Sequence, residues 1–255
     1  MTTAMVTGGT SGIGAAFARA LAARGHDLVL VARDSERLAS TAAELTSQHR
    51  IAVETMTADL GEHSDVEKVA ARLADPNAPI DRLVNNAGFG IRTRLTAEDL
   101  SPHEHGIDVM IRAVLLLSGA AARTMKARGA GSIINISSTA GFVTMGSYSA
   151  TKAWVTIYTE GLATELTGTG VRVTVVCPGW VRTEFHQRAA IGVSGIPDRM
   201  WLDADQVAAQ GLRDNDRGKV ICIPSRRYAA MMFAARHVPR SLIRTVSARL
   251  SSGRH

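Results

Sequence analysis

Short apolar runs alternate with stretches of helical apolar spacing along most of this chain. The runs TAMVT (3–7), DLVLVA (27–32), IAVETMT (51–57), IDRLVN (80–85), SIINIS (132–137), VRVTVVC (171–177) and KVICI (219–223) read as strands. Between them, residues 13–24, 34–48, 63–74, 103–128, 148–167 and 203–214 carry apolar positions at a 3.6-residue period and read as helices. The strands are nearly continuous in apolar residues, as expected when both faces of a sheet are covered. Strand–helix alternation of this kind predicts a doubly wound α/β domain: a parallel seven-stranded sheet with helices on both faces. No internal repeat or low-complexity linker divides the chain before about residue 224, so one domain over 1–224 is expected.

Composition changes this picture at one end. The 255 residues carry a formal net charge of +6. Residues 226–255 contain seven arginines and no acid, which leaves 22 basic against 23 acidic side chains in the rest. The body is therefore near neutral, and residues 225–255 form a basic tail with helical apolar spacing on either side of Pro239. Such a tail suits a groove on the body, a second subunit or an anionic membrane surface. Nucleic acid is the poorest fit, because Tyr228 and Phe233 are its only aromatic residues. No apolar run reaches the ~20 residues of a membrane span, and the first strand begins almost at once, so a cytoplasmic enzyme is expected. Cys177 and Cys222 lie in apolar strands and read as buried thiols. The H-x-H of His103 and His105 lacks a third ligand type nearby and predicts no metal site.

The chemistry begins at TGGTSGIG (7–14), which follows the first strand and opens the first helix. Gly8, Gly12 and Gly14 allow a tight turn and close approach of a pyrophosphate to a helix N-terminus. The second strand ends in Ala32 and Arg33, where an NAD enzyme usually carries a carboxylate for the ribose 2′-hydroxyl. An arginine there can pair with a 2′-phosphate, which predicts NADP(H), although Asp34 beside it could neutralise the charge. Asp59 and Gly88 also sit after strand ends, where open α/β sheets bind ligands.

Taken together, TGGTSGIG, NNAG (85–88), NISS (135–138), YSATK (148–152) and PGWVRT (178–183) resemble the short-chain dehydrogenase/reductase family, in the family's order. The resemblance implies a Rossmann-like fold, a nicotinamide cofactor and hydride transfer to or from a carbonyl or alcohol carbon of a small molecule. It implies Tyr148 as acid/base, Lys152 as its partner and Ser138 as the donor to the substrate oxygen. By the same resemblance the cofactor lies against Gly8, Thr10, Ser11, Gly12, Ile13, Gly14, Arg33, Asp59, Leu60, Asn86, Gly88, Tyr148, Lys152, Val181 and Thr183, the last steadying the carboxamide. A homo-oligomer, dimer or tetramer, is also implied, through the helices holding 103–128 and 148–167.

The residue types make sense independently. A phenol with pKa ~10 is a poor base near neutrality, and a neighbouring ammonium is expected to lower it. A serine hydroxyl can orient and polarise a carbonyl. Two departures stand out. Met110 occupies the position where family members usually carry an asparagine thought to hold a proton-relay water. A thioether is only a weak acceptor, so Met110 reads either as core filling or as the mark of a catalytically weak NADP(H)-binding regulatory protein. Ser138 and Tyr148 are ten residues apart, where twelve or thirteen is more common, so a more open pocket is expected there. The segment 184–201, with its glycines and apolar residues, is expected to form a substrate lid and favours an apolar or acyl-like substrate.

Overall fold

The alternation of side chains along a strand sends neighbours to opposite faces, and here both faces are apolar. The computed structural model describes residues 2–184 and 196–252. Its strands are β1 (Thr3–Thr7), β2 (Asp27–Ala32), β3 (Val53–Thr57), β4 (Arg82–Asn85), β5 (Gly131–Ile136), β6 (Val171–Val176), β7 (Trp180–Val181), β8 (Trp201–Leu202) and β9 (Ile221–Cys222). Seven form one parallel sheet in the order β3-β2-β1-β4-β5-β6-β9, while β7 and β8 make a small separate pair. On one face Met5, Val29, Val31, Leu83 and Ile133 join one core. On the other face Ala4, Val6, Leu30, Val84 and Ile134 join a second. The doubly wound α/β fold expected from the pattern is the fold observed.

The helices fall where the apolar period placed them. They are α1 (Gly12–Ala22), α2 (Ser35–His49), α3 (His63–Ala74), α4 (Ser101–Ile107), α5 (Ala113–Arg128), α6 (Gly146–Glu165), α7 (Ala204–Asp216), α8 (Arg226–His237) and α9 (Arg240–Ser252). Leu38 and Leu45 of α2, and Val207 and Leu212 of α7, point to the second core. Residue 34 caps α2: the Asp34 carboxylate accepts from the Arg37 N–H at 3.0 Å. Between α4 and α5 the chain widens into a π-helical turn over Asp108–Arg112, which the plain helical period could not show.

The continuous helical run Ser101–Arg128 is long and apolar enough, by length and composition alone, to cross a membrane. It is instead a core helix, because Met110, Ala113, Leu117, Ala121 and Met125 are buried against the sheet and α3. Alanine, glycine and short polar residues interrupt it, which hid it from a search for unbroken apolar runs. The tail folds as two helices around Pro239 and lies on the body. Tyr228, Met232 and Ile243 are buried, and the Arg236 guanidinium sits 4.8 Å from the centroid of the Phe142 ring.

The strand order reverses between β1 and β4. Chains leaving the carboxyl ends of those two strands diverge to opposite faces and leave a crevice. The site lies there.

Candidate active site

A cleft of about 1200 Å³ opens along the carboxyl edge of the sheet. The turn after β1 forms its first wall. Gly8 has φ +65° and Gly12 φ +54°, both in the left-handed region where a Cβ is strained. The Thr7 hydroxyl accepts from the N–H groups of Asn86 at 2.9 Å and Ala87 at 3.1 Å. The Asn86 amide donates to the carbonyls of Thr7 at 3.0 Å and Gly8 at 3.2 Å. These bonds tie the turn after β1 to the turn after β4, so neither can move alone.

A dinucleotide fits this wall. Ser11, Gly12 and Ile13, at the N-terminus of α1, line the cleft, and a helix N-terminus favours an anion such as a pyrophosphate. Gly8, Thr10, Ser11, Gly12 and Ile13 line it, whereas Gly14 lies behind the turn. A Cβ on Gly14 would meet the Gly8 carbonyl and the Asn86 amide. The absence of a Cβ at Gly14 therefore serves helix–turn packing.

Arg33, Asp59 and Leu60 line the far end of the cleft. Asp34 does not neutralise Arg33, since it is occupied as the cap of α2. The carboxylate beside Arg33 is Asp59, at 3.8 Å. Asp59 also accepts from the Gly61 N–H at 2.9 Å, which fixes its turn. Arg37, one turn into α2, lines the same end and pairs with Glu184 at 3.2 Å. The sequence reading missed Arg37, although its place four residues after Arg33 at a helix start was a usable signal.

At the other end stand Ser138, Tyr148 and Lys152, all lining the cleft. Ser138 lies two residues beyond β5 and caps a short 3-10 turn, accepting from the Ala140 N–H at 3.1 Å. Tyr148 and Lys152 lie one turn apart on α6, and Ser138 hydrogen-bonds the Tyr148 hydroxyl. The ten-residue spacing therefore brings serine and tyrosine together, because the 3-10 turn Thr139–Phe142 folds the short connection back against α6.

The electrostatics differ from the sequence expectation. Burial pushes the Tyr148 phenol up to about 12, and the bond from Ser138 opposes this only in part. The lysine does not lower it here. The Lys152 ammonium lies 5.7 Å from the Tyr148 ring centroid and donates to the Ile136 carbonyl at 3.0 Å. Burial pulls Lys152 itself down to about 8. Desolvation outweighs the expected charge effect because both groups sit at the floor of a deep cleft. The phenol is thus held protonated across the physiological range, ready to give a proton.

Met110 lies on the π-helical turn and is 1% exposed. Its sulfur is 3.1 Å, and the Lys152 nitrogen 3.6 Å, from the point a Gly88 Cβ would occupy. Met110 is a core residue that borders the lysine. Gly88 is the residue that keeps space between them.

Val181 and Thr183 line the cleft beside the β1 turn, and a Gly12 Cβ would come within 3.2 Å of Thr183. Residues 185–195, the greater part of the expected lid, lie outside the described residues. Met200, at its described end, faces the cleft. The sequence reading also missed the tail's part. Tyr228, Met231 and Met232 of α8 form a cleft wall. Tyr228 donates to the Met200 carbonyl at 2.8 Å and accepts from the Trp180 N–H at 3.1 Å. Their helical spacing was visible, but nothing in the pattern showed which surface they cover. Among the described residues no group of three His, Cys, Asp or Glu side chains could hold a metal. His103 instead hydrogen-bonds the Arg94 carbonyl at 3.1 Å, and His105 stacks on Phe89 with ring centroids 5.0 Å apart.

The chain is similar to known proteins. A short-chain dehydrogenase from Sphingobium yanoikuyae, solved in complex with NADPH, is 36% identical with a TM-score of 0.84, covering 92% of this chain and 94% of that one. A bulky-bulky ketone specific alcohol dehydrogenase from Comamonas testosteroni is 31% identical with a TM-score of 0.80, covering 92% of each chain. Sulfoacetaldehyde reductase 2 of Chromohalobacter salexigens is 35% identical over 215 residues, 82% of this chain and 84% of that protein. Residues 2–192 match the short chain dehydrogenase family, and with the Ser138–Tyr148–Lys152 constellation set at the end of a dinucleotide cleft, the chain belongs to that family of oxidoreductases.

Proposed function

We propose that the protein is an NADP(H)-dependent carbonyl reductase or alcohol dehydrogenase acting on a bulky, largely apolar substrate. The observation that carries this reading is the Ser138–Tyr148 hydrogen bond at the floor of a cleft whose other end carries Arg33 and Arg37. When bound, the nicotinamide supplies or accepts the hydride. Everything else falls to side chains of this chain. Ser138 turns its hydroxyl from Tyr148 to the substrate carbonyl and orients it. Tyr148 holds a proton and gives it to the carbonyl oxygen as negative charge builds there, yielding the alcohol. Lys152, held at the Ile136 carbonyl, lines the same end of the cleft and suits the dinucleotide's ribose hydroxyls. Thr183 and the Gly8–Ile13 turn set the position of the dinucleotide.

Arg33 and Arg37 support NADP(H) over NAD(H). Two guanidinium groups at the adenosine end suit a 2′-phosphate, and the NADPH complex of the Sphingobium enzyme agrees with this. Val143, Met145, Met200, Met231 and Met232 support an apolar substrate, because methionines adapt to large irregular shapes. The burial of Met110 as core, with the catalytic set intact, supports an enzyme over a binding-only protein.

A homo-oligomer is part of the proposal. Ile107, Leu115 and Ile157 are exposed on α4, α5 and α6, with Ile157 at 69%, and the Trp154 and Tyr158 rings stack beside them at 4.8 Å. Such a patch suits a second copy. For the tail, the part of α8 in the cleft wall supports packing on the body over attachment to a membrane.

A panel of bulky ketones with NADPH, followed by nicotinamide absorbance, tests the activity. Turnover is expected, and Tyr148→Phe should lower it about a hundredfold or more while NADPH still binds. Normal turnover in Tyr148→Phe would overturn the mechanism.

A further inference from the structure

The wall between the catalytic end and solvent carries charge of one sign. The segment after β4 starts at Gly88, next to the Lys152 nitrogen, and runs out along the cleft through Ile91, Arg92, Thr93, Arg94 and Leu95. Arg92 and Arg94 line the cleft and are exposed at its mouth. The chain bends at Thr93 between them, and Arg92, Thr93 and Arg94 all line the cleft. The His103 ring holds the Arg94 carbonyl at 3.1 Å, which anchors the backbone where Arg94 projects. Among the described residues the only carboxylates lining the cleft are Asp34 and Asp59, both at the adenosine end.

An apolar cavity with a cationic rim and no acid in its catalytic half is built for a ligand of mixed character. We infer that the substrate is amphiphilic: an apolar body bearing a carboxylate, sulfonate or phosphate, with Arg94 and Arg92 receiving the anionic group at the mouth. The carbonyl then lies at Tyr148 and the apolar body spans the distance between, against the methionines of α8. Arginine offers two parallel N–H donors to such an oxyanion, a geometry a lone lysine cannot match. This inference rests on the reductase reading above and names the substrate class for the same site.

The test is binding of decanoate and of decanol, equal in chain length, to the NADPH-loaded protein. Decanoate should bind about tenfold more tightly, and the preference should shrink as salt rises. Arg94→Ala, and Arg92→Ala with Arg94→Ala, should remove the preference while leaving NADPH and decanol affinity unchanged. Equal affinities in the wild type, binding of neither probe, or a preference that survives in the double variant would overturn the inference. The last result would place the anion on groups other than Arg92 and Arg94. Failure of the wild type to bind NADPH in the same titration would instead count against the reductase reading.

Discussion

Lys152 is the buried charge whose removal separates stability from activity. Its side chain is 5% exposed, and burial takes it from 10.5 to about 8. A tenfold change in a dissociation constant is worth about 1.4 kcal/mol, so holding the ammonium in the fold costs about 3 kcal/mol below pH 8. Lys152→Met keeps the length and apolar stem of the side chain and removes that cost. It also strips the Ile136 carbonyl of its donor at 3.0 Å, a loss of roughly 1–3 kcal/mol. At pH 7 the variant should be more stable by about 1 kcal/mol, or about 2–4 °C in Tm for a chain of this size. The sign then reverses with pH. The unfolded lysine keeps its proton to about 10.5, and the folded one loses it near 8. Between these values the unfolded chain binds more protons, so wild-type stability rises with pH relative to the variant. By about pH 10.5 only the lost hydrogen bond should remain, leaving Lys152→Met the less stable protein by about 2 kcal/mol. Urea unfolding of both proteins from pH 7 to 10 measures the difference, and effects of other titrating groups cancel. A stability difference that stays flat over this range, or that moves further in favour of the variant, would refute the account of Lys152 as a desolvated ammonium.

Three further outcomes follow from the same geometry. Gly14→Ala should lose NADPH affinity and about 1–3 kcal/mol of stability, because the new methyl meets the Gly8 carbonyl; fluorescence titration and a melting curve check both, and unchanged binding would show that the turn can yield. Arg33→Ala combined with Arg37→Ala should lower the preference for NADPH over NADH about tenfold or more, measured as the ratio of the two dissociation constants, with NADH binding unaffected. Ile157→Glu places a charge in the exposed apolar patch and should shift the protein to a smaller species in light scattering; an unchanged mass would remove that patch from the interface.

The fold was legible because the central strands β1, β2, β4 and β5 each face two cores. The register of Met5, Val29 and Leu83 on one face against Ala4, Val6 and Val84 on the other follows from a period of two. The length of β3 was overread: Ile51 and Ala52 extend the apolar run, yet the edge strand starts at Val53, where pairing with β2 begins. The closeness of the candidate trio was legible too, since Ser138 follows β5 closely, Tyr148 and Lys152 share one helix, and local geometry brings Ser138 and Tyr148 together. What resisted reading depends on separation in sequence. Arg37 meets Glu184 across 147 positions, and no local period records such a contact.

The pKa of Tyr148 shows the same limit in energetic form. A four-residue spacing places an ammonium near a phenol, and from spacing alone the charge should dominate. Whether it does depends on how much water reaches the pair and on what else the lysine binds. In this fold Ile136, the last residue of β5, turns its carbonyl to the lysine nitrogen, and the cleft floor shields both groups. That holds Lys152 against the strand rather than against the tyrosine oxygen. The phenol is left as an acid, which suits reduction of a carbonyl. The oxidative direction would need Tyr148 as a base, and burial raises the barrier to that role. For the proposed reaction the expectation that follows is a preference for reduction. A reductive rate that holds level from pH 6 to 8, beside an oxidative rate that climbs steadily with pH, is the expected profile, and an oxidative rate already level at pH 7 would contradict it.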